Sequence, residues 1–226
     1  MQVERLPLPP KEYMELVGGP GTSATFEKVG TMVVTMLNDE GMTAAGTDFL
    51  DVGCGCGRVA RMLLPTQIRS YTGFDRHPGM IRWCRDAIST RDSRFTFQHF
   101  DLRSVYFPTW DNYPGSIPAA SLRFPYSDAH FGAILLASVF THMPMEEIAH
   151  YLRELKRVLK PGGKVLLSVF FSPSQAYVET INFFYEPQEF LRRVQKSGFC
   201  LHHRENALKV GVSHNWCVLT HGQTGG

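Results

Sequence analysis

The sequence has no marked excess of charge of either sign. Its 226 residues include 23 Lys and Arg against 21 Asp and Glu, a formal net charge of +2. Long-range attraction to nucleic acid or to an anionic membrane needs a clear excess of positive charge, so the composition indicates neither partner. One local run of arginines keeps an RNA-binding surface open as an alternative. It consists of Arg58, Arg61, Arg69, Arg76, Arg82, Arg85, Arg91 and Arg94.

The sequence also lacks the patterns of secreted, membrane and structural zinc proteins. Five cysteines are an odd number without a repeated Cys-x-x-Cys spacing, which encodes neither a disulfide framework nor a zinc site. MQVERLPLPP at the N-terminus has no signal-peptide core, and the longest apolar run, FGAILLASVF, is too short to span a bilayer. We therefore expect a cytoplasmic protein with no metal and no membrane partner.

From about residue 49 the pattern alternates between short strands and helices. Strands FLDV (49–52), YTGF (71–74) and RFTFQHF (94–100) are separated by the helical segments RVARMLL and MIRWCRDAIS. Such alternation predicts right-handed crossovers and a parallel sheet. The helical segments KEYMELV and TSATFEKVGTMVVTMLNDEG precede the first strand and predict an N-terminal helical cap over 1–45.

The second half continues the same pattern after a long interruption. FGAILLASVF (131–140) is typical of a central strand buried on both faces. A helix opened by Pro144, a strand KVLLSVFF (164–171) and a helix from Pro187 follow, and two last strands near FCLHHREN and HNWCVLT suit an antiparallel hairpin. We predict a single domain over 1–226, with an irregular substrate lid at 103–128 and a disordered tail at 221–226.

The stretch FLDVGCGCGRVA (49–60) places glycines at 53, 55 and 57, between a strand and a helix. This arrangement brings bare peptide N–H groups and a helix N-terminus to the carboxyl edge of a sheet, where a polar ligand can bind. The dinucleotide spacing Gly-x-Gly-x-x-Gly is not met, because Arg58 stands where the third glycine would be. A phosphate loop is excluded, because no Gly-Lys-Ser/Thr follows.

Three successive strand ends carry carboxylates. Asp51 precedes the first glycine and would attract a cation such as an ammonium group at short range. Asp75 ends the next strand, where an acid can accept both hydroxyls of a ribose. Asp101 follows the third strand and could accept from the exocyclic amine of a purine, with the Leu102 N–H as a donor to a ring nitrogen.

With these motifs, the sequence resembles the class I S-adenosylmethionine-dependent methyltransferases of the small-molecule type. The resemblance runs from about residue 22 to residue 220. Its motifs, in order, are DVGCGCG (51–57), GFD (73–75), FQHFD (97–101), FPYSDAHFGAILLASVFTHMP (124–144) and LRELKRVLKPGGKVLLSVF (152–170). The resemblance implies a Rossmann-like α/β fold, doubly wound and mostly parallel, with seven strands and an antiparallel last strand.

The resemblance also implies S-adenosylmethionine as cofactor and assigns residues to it. Asp51 would lie near the methionine amino group, Asp75 on the ribose, and Asp101 with Leu102 on the adenine edge. Met80 would pack against the adenine ring, and Ser138 would lie near the sulfonium. The complete predicted cofactor set is Asp51, Gly53, Cys54, Gly55, Gly57, Asp75, Arg76, Met80, Asp101, Leu102 and Ser138.

The expected reaction is methyl transfer to an oxygen or nitrogen atom of a small molecule by in-line displacement. His142, in VFTHMP after strand four, is the candidate catalytic base, and a structural hydrogen-bonding role is the alternative. Aromatic residues of the segment 103–128 are predicted to cover the acceptor, or to attach a long loop to the core. The substrate candidates are Tyr106, Trp110, Tyr113 and Tyr126.

Three alternatives stay open. The acceptor could be RNA or protein, although Ser138-Val139-Phe140-Thr141 stands where enzymes acting on base amines often carry Asn-Pro-Pro-Tyr. The chain could be a nicotinamide-dependent oxidoreductase, which the glycine spacing and Asp51 disfavour. It could also bind the cofactor without catalysis, because this chemistry needs no signature base.

Overall fold

The computed structural model describes residues 6–18, 23–105, 111–172, 176–204 and 214–222. Its contacts divide the chain into two compact units, Met1–Asp101 and Leu102–Gly226. Within the described ranges, no helix combines the length and the apolar character that a membrane crossing requires. The single domain inferred from the sequence stays a prediction.

The first unit is a parallel three-stranded sheet with helices before and between its strands. β1 pairs with β2, with Asp51 opposite Gly73, and β2 pairs with β3, with Asp75 opposite His99. The three predicted strands and both predicted N-terminal helices are confirmed. The elements are α1 (Lys11–Gly18), α2 (Ser23–Asp39), β1 (Asp48–Val52), α3 (Ala60–Leu63), β2 (Ser70–Asp75), α4 (Pro78–Cys84) and β3 (Phe95–His99).

Two helices of this unit differ from their predicted lengths. The segment RVARMLL forms only one turn, α3, because the residues before Ala60 belong to a bend in which Gly53, Gly55 and Gly57 have positive φ angles. The predicted helix at 80–89 begins earlier, at Pro78, and its second half is a π-helical turn, Arg85–Ser89.

The second unit is built around the long strand β5. β4 pairs with β5 in parallel, β9 pairs with β5 antiparallel, and β8 pairs antiparallel with β9. The mostly parallel α/β class and the antiparallel last strand are therefore confirmed. The elements are β4 (Phe131–Leu136), α5 (Met145–Val158), β5 (Leu159–Phe171), β6 (Tyr177–Glu179), β7 (Asn182–Tyr185), α6 (Pro187–Lys196), β8 (Phe199–Arg204) and β9 (Asn215–His221).

Several boundaries in the second unit were wrong. β4 ends at Leu136 instead of continuing to residue 140, and Phe140–His142 forms a 3-10 turn. β5 begins at Leu159, which pairs with Phe131, instead of at residue 164, and the chain then bulges at Gly162, where φ is +77°. Apolar periodicity continues through both boundaries, so it could not locate them.

The β6–β7 hairpin was not predicted. β7 adds to the carboxyl end of β5 in parallel, with Phe170 opposite Phe184, and β6 pairs antiparallel with β7. Seven of the nine strands in the described ranges match the predicted set, and these two short strands are additional.

The predicted lid, 103–128, is described at 103–105 and 111–128. It contains a 3-10 turn, Ala119–Ser121, and a parallel bridge between Leu102 and Ile117. Phe124 is buried, so part of this segment belongs to the core of the second unit. β9 ends at His221, the first residue of the predicted tail, and residues 223–226 lie outside the described ranges.

Candidate functional site

The bend after β1 requires glycine for conformational reasons. Gly53, Gly55 and Gly57 have φ angles of 71°, 52° and 76°, which side-chain-bearing L residues rarely adopt. The N–H groups of Gly53 and Cys54 donate to the Phe74 carbonyl at 2.9 and 3.0 Å, which fixes the bend on β2. The three glycines thus serve the backbone of the bend itself.

Close packing is a second requirement at this bend. A Cβ on Gly55 would lie 2.7 Å from Val17 Cγ1, and a Cβ on Gly57 would lie 2.7 Å from Ile88 Cδ1. Helix α1 and the π-helical turn at Arg85–Ser89 therefore pack directly against the glycine backbone.

Asp75 joins the end of β2 to the glycine bend. Its Oδ2 accepts from the Gly55 N–H at 2.8 Å, and its Oδ1 accepts from the His77 N–H at 2.9 Å. The N-cap of α4 is His77, whose ring accepts from the Met80 N–H at 3.3 Å, so Asp75 is not the cap of this helix. Burial raises the pKa of Asp75, and its two backbone hydrogen bonds oppose the rise.

Asp51 is buried, and its partner is a tyrosine that sequence reasoning missed. The Tyr71 hydroxyl donates to Asp51 Oδ2 at 2.5 Å, and the Tyr71 ring stacks between Phe49 and Phe95. Asp51 is only 2% exposed, and burial raises its pKa to about 7, although the hydrogen bond from Tyr71 acts against this rise. An aromatic residue on the same face of the neighbouring strand was the available signal.

Met80, Cys54 and Arg76 were predicted to contact the cofactor. Met80 is buried in a cluster with Phe26 and Cys56, and its Sδ would be 4.0 Å from a Cβ on Gly55. Cys54 fills the space beside Gly73, and burial keeps the pKa of its thiol well above the usual range. The Arg76 carbonyl accepts from His99 Nε2 at 3.0 Å. Cofactor contact stays a prediction for all three residues.

Arginines near the bend hold the N-terminal segment. Arg58 Nη1 donates to the Val17 carbonyl at 3.2 Å, and Arg61 donates to the carbonyls of Pro7 and Leu6 at 2.9 and 3.1 Å. Other members of the arginine run also bond within the first unit, namely Arg69, Arg85, Arg91 and Arg94. Most of the run is therefore used in internal contacts, which weakens the alternative of an RNA-binding surface.

Asp101 and Leu102 follow β3. Asp101 is partly buried, and Leu102 is 7% exposed and forms the bridge with Ile117. Their contact with an adenine edge stays a prediction.

Ser138 and His142 follow β4 in the second unit. Ser138 has a φ of 61°, uncommon for a residue with a side chain, and its N–H donates to Ser168 Oγ at 2.8 Å. His142 Nδ1 lies 3.1 Å from the Ile181 carbonyl oxygen, and burial lowers the pKa of His142 below its usual value. A lowered pKa keeps the ring neutral near pH 7, which a base requires.

The predicted substrate residues have different positions. Tyr106 and Trp110 lie outside the described residues. The Tyr113 N–H donates to Asp111 Oδ1 at 3.0 Å. Tyr126 packs edge-on against Phe131, with 5.1 Å between ring centroids, at the amino end of β4. Ligands of such sheets bind at the carboxyl ends of the strands, so we do not carry Tyr126 into the proposed acceptor site.

These side chains fit the chemistry of the expected cofactor. Asp75 has carboxylate lone pairs beyond its two backbone bonds and could accept ribose hydroxyls, and Asp51 could offset an ammonium charge. The glycines of the bend have no side chains, so a ligand could approach the backbone closely there.

Comparison with known proteins agrees with this chemistry. A family model described as a methyltransferase domain matches residues 50–167, just over half of the chain. A 27-O-demethylrifamycin SV methyltransferase from Amycolatopsis mediterranei is 28% identical over 160 residues, covering 70% of this chain and 51% of that protein. The chain therefore spans about half the length of the curated relatives it matches.

Two solved structures share the fold at low sequence identity. The 1,6-didemethyltoxoflavin-N1-methyltransferase of Burkholderia thailandensis, with 1,6-didemethyltoxoflavin and S-adenosylhomocysteine bound, has a TM-score of 0.60 and 16% identity, over 88% of this chain and 79% of that one. The cyclase SpnF has a TM-score of 0.58 and 22% identity, over 76% of this chain and 58% of that one. The fold is thus shared with a methyltransferase and with a protein named for another reaction.

Proposed function

Because the chain belongs to the methyltransferase-domain family, we propose that it transfers a methyl group from S-adenosylmethionine to an oxygen or nitrogen atom of a small molecule. The observation that supports this most directly is the Asp75 carboxylate, held on the Gly55 N–H at 2.8 Å where β2 ends. A carboxylate in this position suits the two hydroxyls of a ribose. The relative from A. mediterranei and the toxoflavin enzyme are both named for small molecules.

When bound, S-adenosylmethionine supplies a methyl group on a sulfonium sulfur, which is already a good leaving group. The first unit would hold it through Asp75 on the ribose, Asp51 near the ammonium and Met80 against the adenine. Asp101, Leu102 and Ser138 complete the proposed contacts. Alignment of the acceptor supplies much of the rate of such a displacement.

His142 is the proposed base. Its lowered pKa means that the ring is neutral at pH 7 and can accept a proton from the acceptor. Removal of a general base costs about 10²-fold or more in turnover.

A second candidate is a cofactor-binding protein that catalyses no methyl transfer. The cyclase SpnF has the same fold and is named for another reaction, so the fold alone does not specify methyl transfer. A macromolecular acceptor is disfavoured because the arginine run makes internal bonds, and a nicotinamide cofactor is disfavoured by the spacing of the glycines.

Calorimetric titration with S-adenosylhomocysteine and, separately, with NAD tests the cofactor. We expect binding of S-adenosylhomocysteine alone, and NAD binding alone would refute the proposal.

Incubation of labelled S-adenosylmethionine with fractionated lysate then tests the acceptor. A labelled small molecule supports our proposal, a labelled RNA or protein supports the rival acceptor, and cofactor binding without any labelled product supports the non-catalytic candidate.

A further inference from the structure

The β6–β7 hairpin lies beyond the segment matched by the family model, yet it holds the candidate base. Ile181, in the turn of the hairpin, accepts from His142 Nδ1 at 3.1 Å. The Tyr185 hydroxyl, at the end of β7, donates to the Met143 carbonyl, and the Phe140 carbonyl oxygen lies 3.4 Å from the same hydroxyl oxygen. The hairpin therefore binds the turn that carries His142 at both of its ends.

The contact with Ile181 determines which ring nitrogen of His142 carries the hydrogen. A carbonyl oxygen only accepts hydrogen bonds, so Nδ1 must be the protonated nitrogen. In the neutral ring the lone pair is then on Nε2, the nitrogen that would take the proton in base catalysis. A backbone carbonyl supplied by the hairpin thus selects the tautomer that a base needs.

Aromatic rings extend from this turn along the hairpin. Phe170 on β5 meets the His142 ring edge-on at 6.5 Å and stacks on Phe184 of β7 at 5.2 Å. Phe184 stacks on Tyr177 of β6 at 4.4 Å with an interplanar angle of 4°. Tyr177 is 45% exposed, so the outer end of this aromatic column offers a flat apolar surface.

We propose that the β6–β7 hairpin recognises the acceptor, positioning His142 through Ile181 and presenting the aromatic column to a flat apolar ring that bears a hydroxyl group. This inference rests on the proposed function, because it names the acceptor class of the same reaction. It assigns Ile181 and Tyr185 as positioning residues and Tyr177 as a specificity residue.

A hydroxyl suits this base better than a protonated amine does. A neutral hydroxyl keeps a lone pair while it still carries its proton, whereas an ammonium group must lose its proton before it can attack. The column itself consists of phenyl and phenol rings, which supply no carboxylate to hold an ammonium group. The titratable groups on the described elements packed against the turn are Tyr185, His214 beside Phe170, and Glu146 and Glu147 in the first turn of α5.

The proposed step is an in-line displacement at the methyl carbon. The acceptor oxygen forms a bond to the methyl carbon, and the methyl–sulfur bond breaks with its electron pair left on sulfur. The hydroxyl proton passes to His142 Nε2 and then to solvent.

Nitrogen NMR of the histidine-labelled full chain, saturated with S-adenosylhomocysteine, tests the tautomer without any acceptor. The His142→Gln variant identifies the His142 signals. We expect protonated Nδ1 and unprotonated Nε2 at pH 7, with a titration midpoint below the usual value of about 6.5. Protonated Nε2 in the neutral ring would overturn the inference.

Methyl transfer to probe acceptors tests the acceptor class. 2-Naphthol and 2-(aminomethyl)naphthalene share the flat ring, and they differ in the nucleophile and in the one methylene group that carries the amine. We expect transfer to 2-naphthol only, with a loss of about 10²-fold in His142→Gln. Preference for the amine, or no transfer to either probe while S-adenosylhomocysteine binds, would overturn the acceptor class. Absence of S-adenosylhomocysteine binding would instead refute the proposed function.

Two variants test the hairpin. Tyr185→Phe keeps the ring but loses its hydroxyl donor, and we expect the pKa in the pH–rate profile to move toward about 6.5 as the turn loosens. An unchanged profile would show that the hairpin does not position His142.

Tyr177→Ala should raise the KM for 2-naphthol about five-fold with little change in kcat. Val178→Ala is the matched control, because Val178 is exposed on the opposite face of β6, and an equal effect there would remove Tyr177 from the site.

Discussion

Asp75 has two tasks at the residue scale, because it fixes the glycine bend and is proposed to bind the ribose. We expect Asp75→Asn to weaken S-adenosylhomocysteine binding about 10- to 100-fold, since charged hydrogen bonds contribute about 1.5–3 kcal/mol each. Calorimetry measures this loss. The control is Asp86→Asn, an exposed carboxylate in the same unit. Equal affinity in the wild type and both variants would remove Asp75 from the cofactor site.

Asp51 should make the stability of the protein depend on pH. Its pKa is about 7 in the folded state, against an ordinary value of 3.8 for an aspartate side chain. Between these two pH values the folded state keeps the proton, whereas the unfolded state releases it. The stability that protonation provides is present below about pH 4 and is lost as the pH rises toward 7.

We therefore expect Asp51→Asn to leave the free energy of unfolding nearly unchanged at pH 4 and to raise it at pH 8, by roughly 4 kcal/mol. Urea unfolding at both pH values measures the difference. Tyr71→Phe removes the hydrogen bond that lowers this pKa, and it should destabilise the protein more at pH 8 than at pH 5. Equal effects of Asp51→Asn at both pH values would contradict the burial argument.

At the scale of elements, α1 is held on the glycine bend by arginine side chains. Arg61 is 9% exposed and donates to two carbonyls of the segment before α1, and Arg58 donates to Val17 within it. We expect Arg61→Gln to lower the hydrogen-exchange protection of the amides in α1 about 10- to 100-fold, because two charged hydrogen bonds are lost. Arg82→Gln, at an exposed position of α4, is the control. Unchanged protection would show that Arg61 does not hold α1 in place.

The elements also show where periodicity succeeds and fails. α5 and α6 were predicted well because proline begins each pattern and a clear apolar stripe follows. The β6–β7 hairpin was missed because its strands have three and four residues, too few for a period-two pattern. Thr180 in its turn has a φ of 57°, a conformation that Gly or Asn would have signalled more clearly.

At the scale of the whole molecule, the balance of charge predicts weak binding to nucleic acid. The net charge is +2, and arginines of the one basic run bond to carbonyls and carboxylates of the chain. We expect no RNA binding tighter than about 10⁻⁴ M at physiological salt, measured by filter binding over a salt series. Sub-micromolar binding with a steep salt dependence would favour the RNA acceptor.

The amino-acid sequence was sufficient to identify the family, the α/β class and seven of the nine described strands along the chain. These follow from local patterns, namely apolar runs, helical periodicity and glycines that the bend requires. It also indicated Asp51 and Asp75, because carboxylates after successive parallel strands meet at one edge of a sheet.

The contacts that those residues make are visible in the folded structure alone. Tyr71 on Asp51, Val17 on Gly55, and Ile181 on His142 join positions that are far apart in the chain. No local pattern encodes such pairs, because they depend on the packing of elements whose relative positions the sequence does not state. The hydrogen bond of the candidate base His142 therefore could not be predicted from the sequence, because its partner lies in the β6–β7 hairpin.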